Sequence, residues 1–341
     1  MEDERQQIIE RIESAIDAGD LSSIPVILEG IRSADVSDLL MALPAEKRMI
    51  LFGTFERELA SEVLILVDEG AAREIIEELE ESKIVELIEL MASDDATDII
   101  NLLPDGQVQR VLGRISREEY EDVRELLKFD EESAGGLMAR EVMKIRLDAR
   151  ISDIIKMLRS EERSIEQLQN VFVVDREGVL LGYIPILKLI VVDPDDGVEE
   201  VMVSDFLSVA VETDQEEVAA LFAKYDLYSL PVVDARGKLV GRITVDDIID
   251  VIEEEATEDI TIMAGTGEEE FWERSPVRVS RARLPWLLTG LFGGIASAVV
   301  MNHFKSSLES VLTLAFFVPV ITAMGGNVGI QSSAIVVREL S

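Results

Sequence analysis

Phe172-Val-Val-Asp175-Arg-Glu-Gly178-Val-Leu-Leu-Gly182-Tyr-Ile184 and Pro231-Val-Val-Asp234-Ala-Arg-Gly237-Lys-Leu-Val-Gly241-Arg-Ile243 match almost position for position. Each copy reads as two β-branched-rich strands joined by a tight Asp-x-x-Gly turn, in which glycine supplies the positive φ. The second copy runs on into Thr244-Val-Asp-Asp247-Ile-Ile-Asp250, a polar helix start followed by an amphipathic helix. Residues 143–252 therefore carry a strand, helix, strand rhythm written twice.

Before this part the pattern is helical, with apolar residues three and four apart at Ile75, Leu79, Ile84, Leu87, Ile88 and Met91. Asp35-Val-Ser-Asp38-Leu-Leu-Met-Ala-Leu-Pro44 reads like Asp95-Ala-Thr-Asp98-Ile-Ile-Asn-Leu-Leu-Pro104, a capped start, an apolar helix and a proline stop. Short repeated helices of this kind predict a solenoid whose units bury their faces against neighbours. After the strand-containing part come two charge-free runs, residues 285–302 and 311–337. Each is long enough for a helix to cross roughly 30 Å of hydrocarbon. Arg274, Arg278, Arg281 and Arg283 crowd the approach to the first run, which predicts that the long N-terminal part lies in the cytoplasm.

Charge narrows the function. The 341 residues hold 69 acidic and 32 basic side chains, a net charge of -37, which argues against nucleic acid as a partner and for cations. With no cysteine there is no disulfide, thiolate nucleophile or Cys-type zinc site. The one histidine, His303, has no cysteine or acidic neighbour in sequence, and no Walker-type glycine loop occurs, so no enzyme is predicted.

The acidic residues are clustered. Asp247, Asp250, Glu254 and Glu258 fall on one helical face, where like charges cost roughly 0.2–0.5 kcal/mol per pair. Asp94 and Asp98 share a face in the same way. A solvated acidic surface is one reading of such runs. The other is a hard divalent cation, since Mg²⁺ takes one or two carboxylates and keeps several waters. For Thr244 two readings also stand, a helix N-cap and a ligand-binding group.

The two strand copies resemble a tandem pair of CBS domains, regulatory modules that often bind adenine nucleotides through a Thr-x-x-Asp pattern. Thr244 and Asp247 fit that pattern, while the first copy has Pro185 and Lys188 at the corresponding places. The resemblance thus implies at most a one-sided ATP site. The whole order, a helical part with Asp94 and Asp98, Ala134-Gly-Gly136-Leu-Met138, the CBS pair, Glu255-Ala-Thr-Glu258-Asp259-Ile260 and apolar spans, is similar to the MgtE magnesium transporter family. It implies a multi-domain fold: an acidic all-α superhelical domain (1–130), an α/β CBS pair (131–262), a connecting helix (263–283) and α-helical membrane spans (284–341). It further implies a homodimer in the cell (inner) membrane with five spans per chain, of which this sequence carries the first two.

The same resemblance implies Mg²⁺ ligation by Glu62, Asp94, Asp98, Asp214, Glu216, Asp226, Asp247, Asp250, Glu255, Glu258 and Asp259, and by backbone near Gly136. Oxygen ligands alone also admit Co²⁺ or Mn²⁺. In the second run, Gly325, Gly326, Asn327, Gly329 and Gln331 read equally well as packing residues or as a polar path through lipid. Gly-Gly-Asn-x-Gly-x-Gln resembles the family's pore-helix signature, which implies the second. Gly290, Gly293 and Gly294 read as close helix contacts. The function implied is a transporter that closes when acidic cytoplasmic domains bind Mg²⁺. The alternative is a membrane-anchored nucleotide-sensing module.

Overall fold

A computed structural model describes residues 2–160, 168–264, 276–306 and 316–340. The chain divides into two compact units, Met1–Ile249 and Asp250–Ser341. The first begins with short helices: α1 (Glu2–Ala18), α2 (Ile24–Leu28), α3 (Ser33–Met41), α4 (Ala45–Phe52), α5 (Arg57–Leu66), α6 (Glu69–Glu78), α7 (Glu81–Ile88), α8 (Ser93–Asn101), α9 (Asp105–Leu112) and α10 (Arg117–Leu126). Packing runs α3 on α5, α5 on α7 and α7 on α9, with α8 on α10, as a solenoid requires. Leu40, Leu51, Leu64, Ile75, Ile76, Ile84, Leu87, Ile88 and Ile100 are fully buried in one core. Each contributes about 1.5–3 kcal/mol by leaving water.

The predicted repeat is α3 and α8, with one correction. Asp35 and Asp95 are not caps but lie in the first helical turn, where a carboxylate faces the positive end of the helix dipole. Pro44 and Pro104 each cap the start of the following helix, where their missing N–H is no loss.

Two three-stranded sheets follow. The first has β1 (Lys144–Arg146), β2 (Asn170–Val174) and β3 (Leu180–Pro185), with α11 (Ile151–Ser160) between β1 and β2. After α12 (Val198–Val201), the second has β4 (Val209–Ala210), β5 (Ser229–Val233) and β6 (Leu239–Thr244), with α13 (Gln215–Tyr225) between β4 and β5. In both the first pair is parallel and the second antiparallel, and each hairpin has its irregularity at the matching place, Val173/Val174 and Val232/Val233. The sequence repeat is therefore a structural repeat down to the bulge.

The Asp-x-x-Gly turns behave as predicted. Asp175 accepts from the backbone N–H groups of Glu177 and Val179, and Asp234 from those of Arg236 and Lys238. Gly178 and Gly237 hold φ of 87° and 75°. The turns also join the copies: Leu180 donates to Gly237, and Leu239 to Gly178, over 3.0 and 3.1 Å. Helix α14 (Val245–Ala264) leaves β6 directly.

The second unit contains α15 (Pro276–His303) and α16 (Val318–Leu340). Among the described residues one helix, Arg283–His303 with a mean hydropathy of 1.7, is long and apolar enough to cross a membrane. Its Leu287, Leu291, Phe292, Ile295 and Val299 are all more than half exposed. Thr289 and Ser297 return their hydroxyls to the carbonyls of Pro285 and Gly293, so neither leaves a donor unmet in an apolar medium. The connecting helix predicted for 263–283 lies partly outside the described residues. Replacing Gly237 by Ala forces a side chain into the left-handed region and should destabilise the chain by about 1 kcal/mol. Thermal unfolding followed by circular dichroism reads this as a lowered Tm.

Candidate metal centre

The acidic centre is built around the start of α8. Ala92 at its N-cap has no side chain to offer, which leaves first-turn N–H groups to be met from elsewhere. Glu141 meets the first of them: its carboxylate accepts from Ser93 N (3.1 Å) and also from Ser93 Oγ (2.8 Å), while Asp94 Oδ1 accepts from Asp95 N (3.0 Å). Ser93 Oγ in turn accepts from the N–H of Arg140 (2.9 Å), and Arg140 Nε donates to Asp122 on α10 (2.7 Å). Ser93 is wholly buried.

The next two residues carry the strain. Asp94 is only 9% exposed. Burial, then the charges of Asp247, Asp95 and Glu141, holds its carboxyl well above the usual range. Asp95 is pushed up to about 7 by burial and by Asp247, Asp246 and Glu141. Opposite them Asp247 is fixed: its Oδ2 accepts from Thr244 N (3.0 Å) and Thr244 Oγ1 (2.8 Å), so Thr244 holds the start of α14.

Asp98 does not share this environment. One turn beyond Asp94 it is exposed, and it lines a separate cleft of about 70 Å³ with Thr97, Asn101, Glu131 and Gly136. Asn101 donates to Glu131 across this cleft (2.7 Å). Any side chain at residue 136 would collide with the backbone of Asp130 and Glu131, so only glycine lets the turn close there. Among the described residues no three carboxylates form a ready-made cage. Mg²⁺ does not require one, because its inner sphere is filled largely by water.

Comparison with known proteins agrees with this organisation. A family model described as the MgtE intracellular N domain matches residues 31–132, and the CBS domain model matches residues 134–195 and 198–254. The magnesium transporter MgtE of Thermus thermophilus is 33% identical over 335 residues, covering 97% of this chain and 74% of that protein. The chain belongs to the MgtE family. MgtE of Bacillus subtilis is 27% identical over 335 residues, covering 98% of this chain and 74% of that protein. The crystal structure of the cytosolic domain of the Mg²⁺ channel MgtE in complex with ATP has a TM-score of 0.67 at 32% identity, over 71% of this chain and 99% of that one. The soluble part of a magnesium transporter gives 0.65 at 26% identity, over 74% and 99%. These relatives are named for transport, not for catalysis.

The remaining residues expected from the MgtE resemblance are dispersed. Glu62 is exposed on α5. Asp214 caps α13 by accepting from Glu216 N (3.0 Å), and its backbone pairs with Ser133, three residues from Gly136. Asp226 ends α13 in the left-handed region at φ 51°, exposed like Glu216. Asp250 is exposed and Glu255 half-buried on α14. The side chains of Glu258 and Asp259 lie outside the described residues. Gly325, Gly326, Asn327, Gly329 and Gln331 all sit exposed on α16. A Cβ at Gly290, Gly293 or Gly294 would meet nothing within 4 Å, so the close contacts expected there are not made within the described chain.

Asp95 was expected only as a helix cap, and Ser93 and Glu141 not at all. Glu141 carries no local signal, since it lies 48 positions along the chain from its partner Ser93.

Unfolded aspartates titrate near about 3.9, below Asp94 and Asp95 in the fold. Between about pH 4 and 7 the folded chain thus binds more protons, and its stability falls as pH rises. In EDTA, unfolding free energy should fall from pH 5 to 8 by up to about 1.4 kcal/mol per pH unit for each proton, read as a lowered melting temperature. Asp95→Asn should raise stability at pH 8 and flatten the profile. Parallel melts of both proteins check this.

Proposed function

We propose that this chain is a magnesium transporter whose own domains sense the ion, closing the pore when cytoplasmic Mg²⁺ is high. The observation that carries the reading is the meeting of Asp94 and Asp95 on the helical solenoid with Asp247 at the CBS α14 start, where burial raises the carboxyls. Carboxylates forced together this way are stabilised by a cation. Asp98 and the Gly136 backbone, in their shared cleft, would form a second position, and Glu62, Asp214, Glu216, Asp226, Asp250, Glu255, Glu258 and Asp259 would bind ions between domains and between subunits of a homodimer. The working division is 1–130 helical domain, 131–262 CBS pair, 263–283 connecting helix and 284–341 first spans, in the cell membrane with the N-terminal domains in the cytoplasm. Asn327, within Gly-Gly-Asn-x-Gly-x-Gln, would border the ion path.

A site binding only the compact state stabilises it by about 2.7 kcal/mol at an ion concentration of 100 times its Kd. Millimolar Mg²⁺ should therefore protect residues 1–262 of the full chain from protease. Asp94→Asn with Asp247→Asn should raise the ion concentration for half-protection at least about tenfold. Absence of any protection in the wild-type chain defeats the sensor. Asn327→Leu should reduce Mg²⁺ uptake into proteoliposomes while leaving protection unchanged.

A second reading concerns ATP. The related ATP-bound cytosolic domain and the Thr244–Asp247 pair support one nucleotide position in the second CBS unit. At the corresponding place in the first, Lys188 donates to the carbonyl of Val201 (2.6 Å) and is already engaged. Calorimetry should find one ATP per chain, weakened roughly fivefold by Thr244→Val. Tight ATP binding without any response to Mg²⁺ would favour the nucleotide-sensing alternative.

A further inference from the structure

We infer that Ser93, Arg140 and Glu141 form a metal-independent clasp that positions Asp94 and Asp95 against Asp247. This rests on the proposed binding of Mg²⁺ by those carboxylates. The segment that carries the clasp is tied to both sides of the centre. On the CBS side, Ala139 exchanges both backbone hydrogen bonds with Arg242 of β6, each 2.9 Å long. Arg242 lies two residues before Thr244, which fixes Asp247. On the solenoid side, the very next residues hold α8 and α10: Arg140 through Ser93 and Asp122, Glu141 through both donors of Ser93.

Three consecutive residues thus span the gap that the ion would bridge. Glu141 accepts from the first N–H of α8, beside an N-cap Ala92 that has no side chain to offer, so the linker holds the start of the helix together with the helix's own Asp94. Because Ser93 is adjacent to Asp94, its orientation sets where that carboxylate points. None of these contacts contains the ion. Ser93 and Arg140 are accordingly positioning residues.

The test uses the full-length chain in detergent, titrated with Mg²⁺ and read by protease resistance. Ser93→Ala removes no charge, yet should raise the midpoint about tenfold, the loss typical of residues that orient metal ligands. Full protection should return at high Mg²⁺, and Ser93→Thr should restore most of the affinity. Arg140→Ala guards against a misfolded Ser93 variant and separates two causes by sign. Losing a positive charge near the centre would by electrostatics alone tighten Mg²⁺ binding, whereas loss of the clasp weakens it. A lowered or unchanged midpoint in Arg140→Ala, or an unchanged one in Ser93→Ala, overturns the clasp while leaving the sensor intact. A wild-type chain with no Mg²⁺ response overturns the sensor itself.

Discussion

Like charge confined away from water is the constraint on which the first unit turns. A carboxylate at the surface spends its field in a medium of high dielectric constant, but at an effective constant of about 20 two charges 4 Å apart repel by about 4 kcal/mol. Asp94 and Asp95 are placed where that penalty is felt, with Asp247, Asp246 and Glu141 as neighbours. Without a metal, the raised carboxyls hold protons more readily than exposed aspartates do, which relieves it in part. A divalent ion relieves it in another way, by adding two positive charges while letting the carboxyls ionise.

Those two remedies compete for the same oxygens. Metal binding at a carboxylate releases whatever proton it holds, so the affinity such a centre shows depends on pH even when its geometry does not change. The polypeptide's own task is to keep the carboxylates together during the interval when neither remedy is complete. Hydrogen bonds to charged groups, worth about 1.5–3 kcal/mol each, do this at both ends: Thr244 at Asp247, and the N–H and hydroxyl of Ser93 at Glu141.

How much of this could be read from residues alone follows from the range of each interaction. The CBS hairpins were legible because a tight turn is local: Asp175 and Gly178 are three residues apart, and so are Asp234 and Gly237. The solenoid was legible from helical spacing, though the role of Asp95 was mistaken, since a cap and a first-turn residue differ by only a few positions. Pairing Asp94 with Asp98 followed the helix period, but burial is set by what packs on the helix, and it separates them. The link from Asp94 to Asp247 crosses the fold, as does that from Ser93 to Glu141. No periodicity encodes either.

The same distinction bears on how sensing could reach a pore. An ion shifts a conformational equilibrium only by its difference in affinity for the two states, and moving a 1:99 balance to 99:1 takes about 5.5 kcal/mol. One centre at an ion concentration of 100 times its Kd contributes about half of that. At that occupancy a switch of this amplitude takes more than one ion, and the proposed sensor has separate positions for them, at Asp94 with Asp247 and at Asp98 with Gly136. Both occur on α8, four residues apart. Because a helix moves as a rigid body, ions at either end of that turn act on one element, and their free energies add to the same displacement. In the proposed sensor, two weak sites on one helix would thus achieve what neither could alone.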